Sequence, residues 1–545
     1  MHIKLNNISY SYANNEPLFT YISFAVSYNK TALIGDNGTG KSTLLKIISG
    51  EIIPNEGSVI SEGSIVMLPQ DFSIYNNQTV AEVLSIKEKL SSLENILVGN
   101  STQFDYEILN EEWDLPERIK DIFCEAKLEE INLERRFDTL SGGEKSRLLF
   151  ASLLLNKPDF ALLDEPTNHL DTDSRNILYS LIKNYRRGLL IVSHDRELLN
   201  LMDEINELSP KGMKTYGGNY DFYKEQKQIE REAALNTFEA LNQQHKKSIK
   251  EKNAALEKQA KRAAAGKKKM KTGGIPKIAK NYLQDNSMKT LTRLKDSHSE
   301  KIETINSKLI AAKEKLENSN SLMIDLNSSE IPSQKMILEV KDLNFKFGDS
   351  ENFLWKENIN FSISGSERWS IAGINGCGKS VLLQLILGKF HTSEGEIKLH
   401  SKNTVFLDQN VEILDSELSV YENLKNYSDK FSEEKIPEHE LRIRLARFLF
   451  RGEDAFKKVK VLSGGEKIRA GLACIMASGT MPELLILDEP SNNLDLKSLE
   501  ELTGTLNSYK GALLVVSHDK RFLNEIQIEK QLVISRTEKH KQIFY

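Results

Sequence analysis

The sequence predicts an α/β protein made of two tandem copies of one domain with a long α-helical hairpin linker between them. Three observations carry the prediction. The pattern G-x-x-x-x-G-K-S, set between an apolar strand and a helix, occurs at Gly35–Ser42 and again at Gly373–Ser380. The same later motifs follow each copy at similar spacing. Between the copies runs a charged, helix-favouring stretch, Tyr223–Arg262, without Gly or Pro. The expected domains are 1–218, a linker at 219–332, and 333–545.

Size and composition agree. A chain of 545 residues exceeds what one hydrophobic core supports. Its 39% apolar and 28% charged residues are those of an ordinary globular protein. No apolar run approaches the ~18 to 20 residues that span a bilayer. The opening Met1–Leu5 lacks the basic-then-apolar layout of a signal peptide, so a cytoplasmic protein with no membrane segment of its own is expected. Cys124, Cys377 and Cys474 are scattered and lack CxxC spacing, which argues against a disulfide framework or a zinc site.

In the first copy, Ile3–Phe24 alternates apolar and polar residues around turn formers at 14–17, as an antiparallel strand pair does. Tyr12 is placed there either to stack on a base or to pack against the strands. The loop Gly35, Asp36, Asn37, Gly38, Thr39, Gly40, Lys41, Ser42 follows the strand Thr31–Ile34 and precedes the helix Thr43–Ser49. Its glycines let backbone N–H groups wrap phosphates, and the helix N-terminus adds partial positive charge. Lys41 is expected on the β- and γ-phosphates of a nucleotide and the Ser42 hydroxyl on Mg2+.

Further along, Phe160–Leu163 is a buried-strand run ending in Asp164 and Glu165. The first carboxylate is placed to hold Mg2+ through water, the second to polarise an attacking water. The strand Gly188–Val192 ends in Ser193-His194-Asp195. Leu140-Ser141-Gly142-Gly143-Glu144 opens the helix Lys145–Leu155, Ser141 being its N-cap.

Together these residues resemble the ATP-binding cassette ATPases, whose signature is LSGGE. The resemblance covers nearly all of residues 1–225 and repeats in the second copy. It implies that Gln70 is the Q-loop glutamine near Mg2+ and the attacking water, that Leu170-Asp171 is the D-loop, and that His194 senses the γ-phosphate. Tyr12 then becomes the adenine-stacking aromatic. The second copy supplies Phe347 for Tyr12, and Gly373, Ile374, Asn375, Gly376, Cys377, Gly378, Lys379, Ser380 for the phosphate loop. Gln409, Ser463, Gly464, Gly465, Asp488, Glu489 and His518 complete it. Thr43 and Val381, which follow the two loop serines, join the implied ATP-binding set. The Mg2+ ligands implied are Ser42, Gln70 and Asp164, and Ser380, Gln409 and Asp488. In the family each ATP lies between the phosphate loop of one cassette and the signature of the other. Lys41 would thus pair with Ser463, Gly464 and Gly465, and Lys379 with Ser141, Gly142 and Gly143, in a monomer that pairs its own cassettes. One departure stands out: His169 of the first copy is replaced by Asn493 in the second.

The linker points to a branch of the family. Leu235, Phe238, Ile249 and Leu256 give the first helix an apolar face, and heptad steps return over Leu291–Leu316. The segment Ala263–Asn281 between them, with Gly273-Gly274 and Pro276, is expected to be the hairpin tip. From Lys246 to Lys280 thirteen basic residues face two acidic ones, Glu251 and Glu257, although the chain has net charge -5. A basic block on a projecting arm reads as a polyanion contact. Two cassettes, no membrane segment and such a linker resemble the ABC-F subfamily of ribosome-associated translation factors. That resemblance implies contact of the tip with ribosomal RNA or P-site tRNA, through Lys261, Arg262, Lys267, Lys268, Lys269, Lys271, Lys277 and Lys280. It covers both housekeeping translation factors and antibiotic-resistance factors that protect the ribosome. The Gln70-to-Ser141 gap is 71 positions against 54 for Gln409-to-Ser463, too small a difference for a long inserted arm. Two other readings stay open: the ATP-binding subunit of a membrane transporter and a DNA-binding maintenance ATPase.

Overall fold

The computed structural model describes the chain except residues 1, 13–16, 169, 210–211, 273–291, 293–295, 298, 314–330, 349–351, 432–434, 478–480, 493 and 537–545, and except the side chains of 263, 266–272 and 477. The chain divides into two compact units, one formed by Met1–Tyr220 with Leu322–Tyr545 and the other by Asp221–Ser321.

The first unit holds two copies of one α/β design. In the first, a sheet runs in the order Ile65–Leu68, Phe160–Asp164, Gly188–Val192, Lys30–Ile34, Glu204–Ser209, all parallel, with Gly212–Tyr216 added antiparallel at the edge. The second repeats the order with Thr404–Leu407, Leu484–Asp488, Ala512–Val516, Arg368–Ala372 and Lys530–Val533. Central strands such as Phe160–Asp164 and Gly188–Val192 are buried at every residue, so their sequences read as unbroken apolar runs rather than alternating ones. A small antiparallel sheet backs each copy, built on Ile3–Ser11 and on Met336–Asn344. The Ser11↔Pro17 pairing closes the expected N-terminal hairpin, whose turn residues 13–16 lie outside the described ones.

The sheets place the motifs. In parallel sheets of this kind ligands bind beyond the carboxyl ends of the strands. Lys30–Ile34, Gly188–Val192 and Phe160–Asp164 are neighbours, so the phosphate loop, His194 and Glu165 emerge on one edge. Leu33, Leu44, Leu45, Leu162 and Val192 fill the core directly beneath. Ile371, Leu382, Leu383, Ile486 and Val516 do so in the second copy. The extra length of the first copy forms the short helices Lys87–Val98 and Gln103–Leu109 rather than a long arm.

The second unit differs from the sequence expectation in two respects. The helix Tyr220–Thr272 runs 53 residues, about 80 Å at 1.5 Å per residue, and continues ten residues past the expected end at Arg262. Ala263-Ala264-Ala265 and the following lysines are strong helix formers, and the single Gly266 costs only about 1 kcal/mol. Residues 299–313 form the returning helix, with Ile305 and Ala312 buried and Ile302 and Leu309 half-buried. Lys252 Nζ donates to Ser299 Oγ at 3.1 Å across the pair. The packed stripe of the long helix passes through Phe238, Leu241, His245, Ser248, Lys252 and Ala255. Leu235 and Ile249, expected on it, are exposed, because the stripe follows heptad steps that they miss. Leu291, His298 and Leu316 lie outside the described residues.

Candidate ATP sites

Each phosphate loop is shaped by glycines that nothing else replaces. Gly40 and Gly378 have φ near +91° and +100°, and a Cβ there would press into Leu18 and Phe19 or into Leu354 and Trp355. Lys41 is buried, its Nζ donating to the carbonyls of Gly35 at 2.7 Å and Asp36 at 3.1 Å. Lys379 Nζ donates to Gly373 O at 2.9 Å. The lysines are thereby held inside the loops that a nucleotide's phosphates would enter. Tyr12 and Phe347 stand half exposed, each edge-on to a neighbour, Tyr10 and Phe345. Tyr12 OH also reaches Thr43 Oγ1 at 3.2 Å. A flat, partly exposed ring beside the loop suits a base, as the sequence suggested. Cys377 is fully buried under its loop, and burial pushes its thiol up, so it serves as packing rather than as a reactive group.

Glu165 and Glu489 occupy the left-handed region, at φ +49° and +48°, a conformation that costs a non-glycine residue on the order of 1–2 kcal/mol. Their N–H groups donate to Val192 O and Val516 O, both at 2.9 Å, which fixes each carboxylate at its strand end. Burial pushes Glu165 up to about 8, opposed by Lys41, and Glu489 up to about 7, opposed by Lys379 and Arg175. His194 Nε2 lies 3.5 Å from Glu165 Oε1, and His518 Nε2 3.4 Å from Glu489 Oε1. Burial lowers His194 to about 3 and His518 to about 4, so both rings are neutral at physiological pH.

Asp164 and Asp488 sit beside the loop serines. Ser380 Oγ donates to Asp488 Oδ2 at 3.2 Å, and Asp164 Oδ1 is buried without a hydrogen-bond partner among the described residues. Burial raises both carboxyls, and Ser42 and Ser380 oppose it. An orphaned carboxylate oxygen next to a serine fits a hard cation. No cluster of three or more His, Cys, Asp or Glu among the described residues holds a metal unaided. The donor set therefore fits Mg2+ arriving with nucleotide phosphates. Gln70 and Gln409 stand exposed two residues beyond their strands.

The signatures are N-terminal caps of helices, as their sequence suggested. Ser141 N donates to Glu144 Oε2 at 2.7 Å and Glu144 N to Ser141 Oγ at 3.3 Å, starting Gly142–Asn156. Ser463 and Glu466 make the same box at Gly464–Ala477. Side chains at Gly143 or Gly465 would collide with Ser174 or Ser498.

Sequence reasoning named Asp171 as the D-loop but missed the contacts by which it, Asp495, Arg196 and Thr172 tie the cassettes together. Asp495 Oδ2 accepts from Asn37 N at 2.9 Å, and Asp171 Oδ2 from Asn375 N at 3.2 Å, so each D-loop aspartate grips the other cassette's phosphate loop. The fully buried Arg196 reaches Asp519 at 3.3 Å and Glu525 at 2.5 Å. Thr172 Oγ1 lies 3.3 Å from His518 Nδ1. The repeated order of motifs was the available signal for Asp171 and Asp495. Arg196 and Thr172 carry none, since a lone Arg or Thr at a helix start reads as a surface residue. The pair at 169 and 493 lies outside the described residues.

Two phosphate-loop domains facing each other, each completing the other's loop, define a two-site P-loop ATPase. The family model described as ABC transporter matches residues 19–168 and 356–492. The chain is 30% identical to ABC transporter F family member 5 of Arabidopsis thaliana, over 96% of this chain and 74% of that protein. It is 28% identical to ATP-binding protein Uup of Escherichia coli (strain K12), over 92% and 75%. Among solved structures, the archaeal ribosome recycling factor aABCE1, in complex with the ribosomal stalk protein aP1, has the same fold with TM-score 0.55 at 19% identity, over 97% of this chain and 87% of that one. The chain belongs to the ATP-binding cassette family, in its F branch, and is an ATP hydrolase. No helix among the described residues is long and apolar enough to cross a membrane.

Proposed function

We propose that the chain is an ATP-driven translation factor that binds the ribosome and inserts the tip of its linker near the P-site tRNA. The observation that carries this reading is the basic block at 246–280. Lys261 and Arg262 are exposed on the long helix, and Lys267, Lys268, Lys269 and Lys271 lie on its last described turns. Lys277 and Lys280 fall outside the described residues. Lysines on phosphates give affinity without reading sequence, which suits a contact set by RNA shape. Lys252 is the exception within the block, since it serves the helix pair. General translation and ribosome protection against antibiotics both fall within this reading.

In the same reading 1–218 and 333–545 are the cassettes and 219–332 the arm between them. Lys41 and Lys379 neutralise phosphate charge, with the glycine-rich loops donating N–H groups around it. Ser42, Gln70 and Asp164, and Ser380, Gln409 and Asp488, would hold Mg2+, which when bound neutralises charge on the phosphates. Glu165 and Glu489 orient and deprotonate the attacking water, and His194 and His518 report the γ-phosphate. Ser141, Gly142 and Gly143 cover the Lys379 site, and Ser463, Gly464 and Gly465 the Lys41 site. ATP favours the closed pair and hydrolysis releases it, so binding to the partner follows the nucleotide.

Sucrose-gradient sedimentation of a Glu165→Gln, Glu489→Gln variant in lysate with ATP tests the reading. Co-sedimentation with ribosomes is expected, as is its loss when Lys267, Lys268, Lys269 and Lys271 become alanine. Protein that stays at the top of the gradient overturns it.

A further inference from the structure

The two composite sites receive different side chains from the opposite cassette. Helix Thr172–Asn184 follows Asp171 and helix Leu496–Ser508 follows Asp495, so Thr172 and Arg175 correspond to Leu496 and Leu499. Thr172 Oγ1 lies 3.3 Å from His518 Nδ1, while Lys379 Nζ lies 3.0 Å from His518 Nε2. A lysine ammonium has only donors, so Nε2 accepts. The neutral ring then carries its hydrogen on Nδ1 and donates it to the Thr172 hydroxyl. Both the tautomer and the ring plane are fixed. One turn further, Arg175 lines the same small cavity as His518, its Nε donating to Leu170 O at 3.1 Å and its Nη1 3.7 Å from Asp195 Oδ2.

Among the described residues the other site has no such arrangement. Leu496 cannot accept a hydrogen bond, and both ring nitrogens of His194 are buried without a hydrogen-bond partner among the described residues. Glu165 Oε1 lies 3.5 Å from its Nε2. The sites differ also in the lysine, since Lys41 Nζ donates to the carbonyls of Gly35 and Asp36 where Lys379 also reaches His518, while the left-handed glutamates beside both histidines repeat.

We propose that Thr172 of the first cassette is a positioning residue for the Lys379 site, acting through His518, and that the Lys41 site lacks its counterpart. One consequence is that the two sites hydrolyse ATP at different rates from the same fold. The proposal rests on His518 acting in hydrolysis at that site, and the test separates the two.

Full-length protein carrying Glu165→Gln reports the Lys379 site, and protein carrying Glu489→Gln reports the Lys41 site. In the first background Thr172→Val lowers kcat for ATP about fivefold, the worth of one hydrogen bond, with KM changed less than about twofold. Thr172→Ser, which keeps the hydroxyl, restores most of it. In the second background Thr172→Val changes kcat less than about twofold. An unchanged kcat in the first background, an equal fall in both, or a serine variant as slow as the valine one overturns the proposal. If His518→Ala also leaves turnover in the first background unchanged, the role of His518 fails with it. If His518→Ala abolishes turnover while Thr172→Val does not, only the role of Thr172 fails. Thermal melting of each variant shows whether a loss is one of folding.

Discussion

The two cassettes share sheet order, loop conformation, capping boxes and even the strained glutamate, yet the surroundings of their histidines differ. His518 is held on both ring nitrogens, by Lys379 and by Thr172 from the opposite cassette. His194 has Glu165 beside it and no hydrogen-bond partner among the described residues. Part of the difference lies outside the motifs, in Thr172 and Arg175, three positions apart on the helix after the first D-loop, where the second has Leu496 and Leu499. Duplication preserved the chemistry, and divergence acted on the residues that one half lends to the other.

The largest effect expected is shared by both halves. Glu165→Gln with Glu489→Gln lowers steady-state ATP turnover at least about a hundredfold, the usual contribution of a positioned base, and a phosphate-release assay checks it. Next comes a contact that only one half makes. Arg196 is buried against Asp519 and Glu525, and Lys520 stands in its place in the second cassette. Arg196→Leu removes the buried cation shared by Asp519 and Glu525, leaving Glu525 with Arg521 at 3.7 Å, and lowers unfolding free energy by roughly 3 kcal/mol in urea titration, whereas Lys520→Leu changes it by less than about 1 kcal/mol. The smallest effect works in reverse. Leu496→Thr, in the Glu489→Gln background, offers His194 the acceptor it lacks and raises kcat of the Lys41 site about two- to threefold, narrowing the gap between sites.

The sequence made the shared features legible because each motif combines a residue type with a backbone need. The phosphate loops need glycines at positive φ, Asp164-Glu165 must end a buried strand, and Ser141 and Glu144 form a box readable at three-residue spacing. The tandem order of Gly35–Ser42 and Gly373–Ser380 then revealed the duplication. The long helix was legible, but its run past Arg262 was not, because Ala263–Thr272 combines helix formers with a glycine that a helix tolerates. The stripe through Ser248 and Lys252 was hidden by its polarity. Inter-cassette residues were hidden for another reason: Thr172 and Arg196 touch partners over three hundred positions away, and nothing local marks them.

The pH dependence of kcat/KM in the two single variants tests the inequality of the sites most directly. This quantity reports the free enzyme, in which the base must be ionised. Burial raises both glutamates, Glu165 to about 8 and Glu489 to about 7, Arg175 relieving only the latter. Because both are raised, activity is present above each value and is lost as pH falls through it. Glu165→Gln, which leaves the Lys379 site with Arg175 near its base, is expected to keep its activity further into acid than Glu489→Gln does. Coincident profiles, or the reverse order, would contradict it.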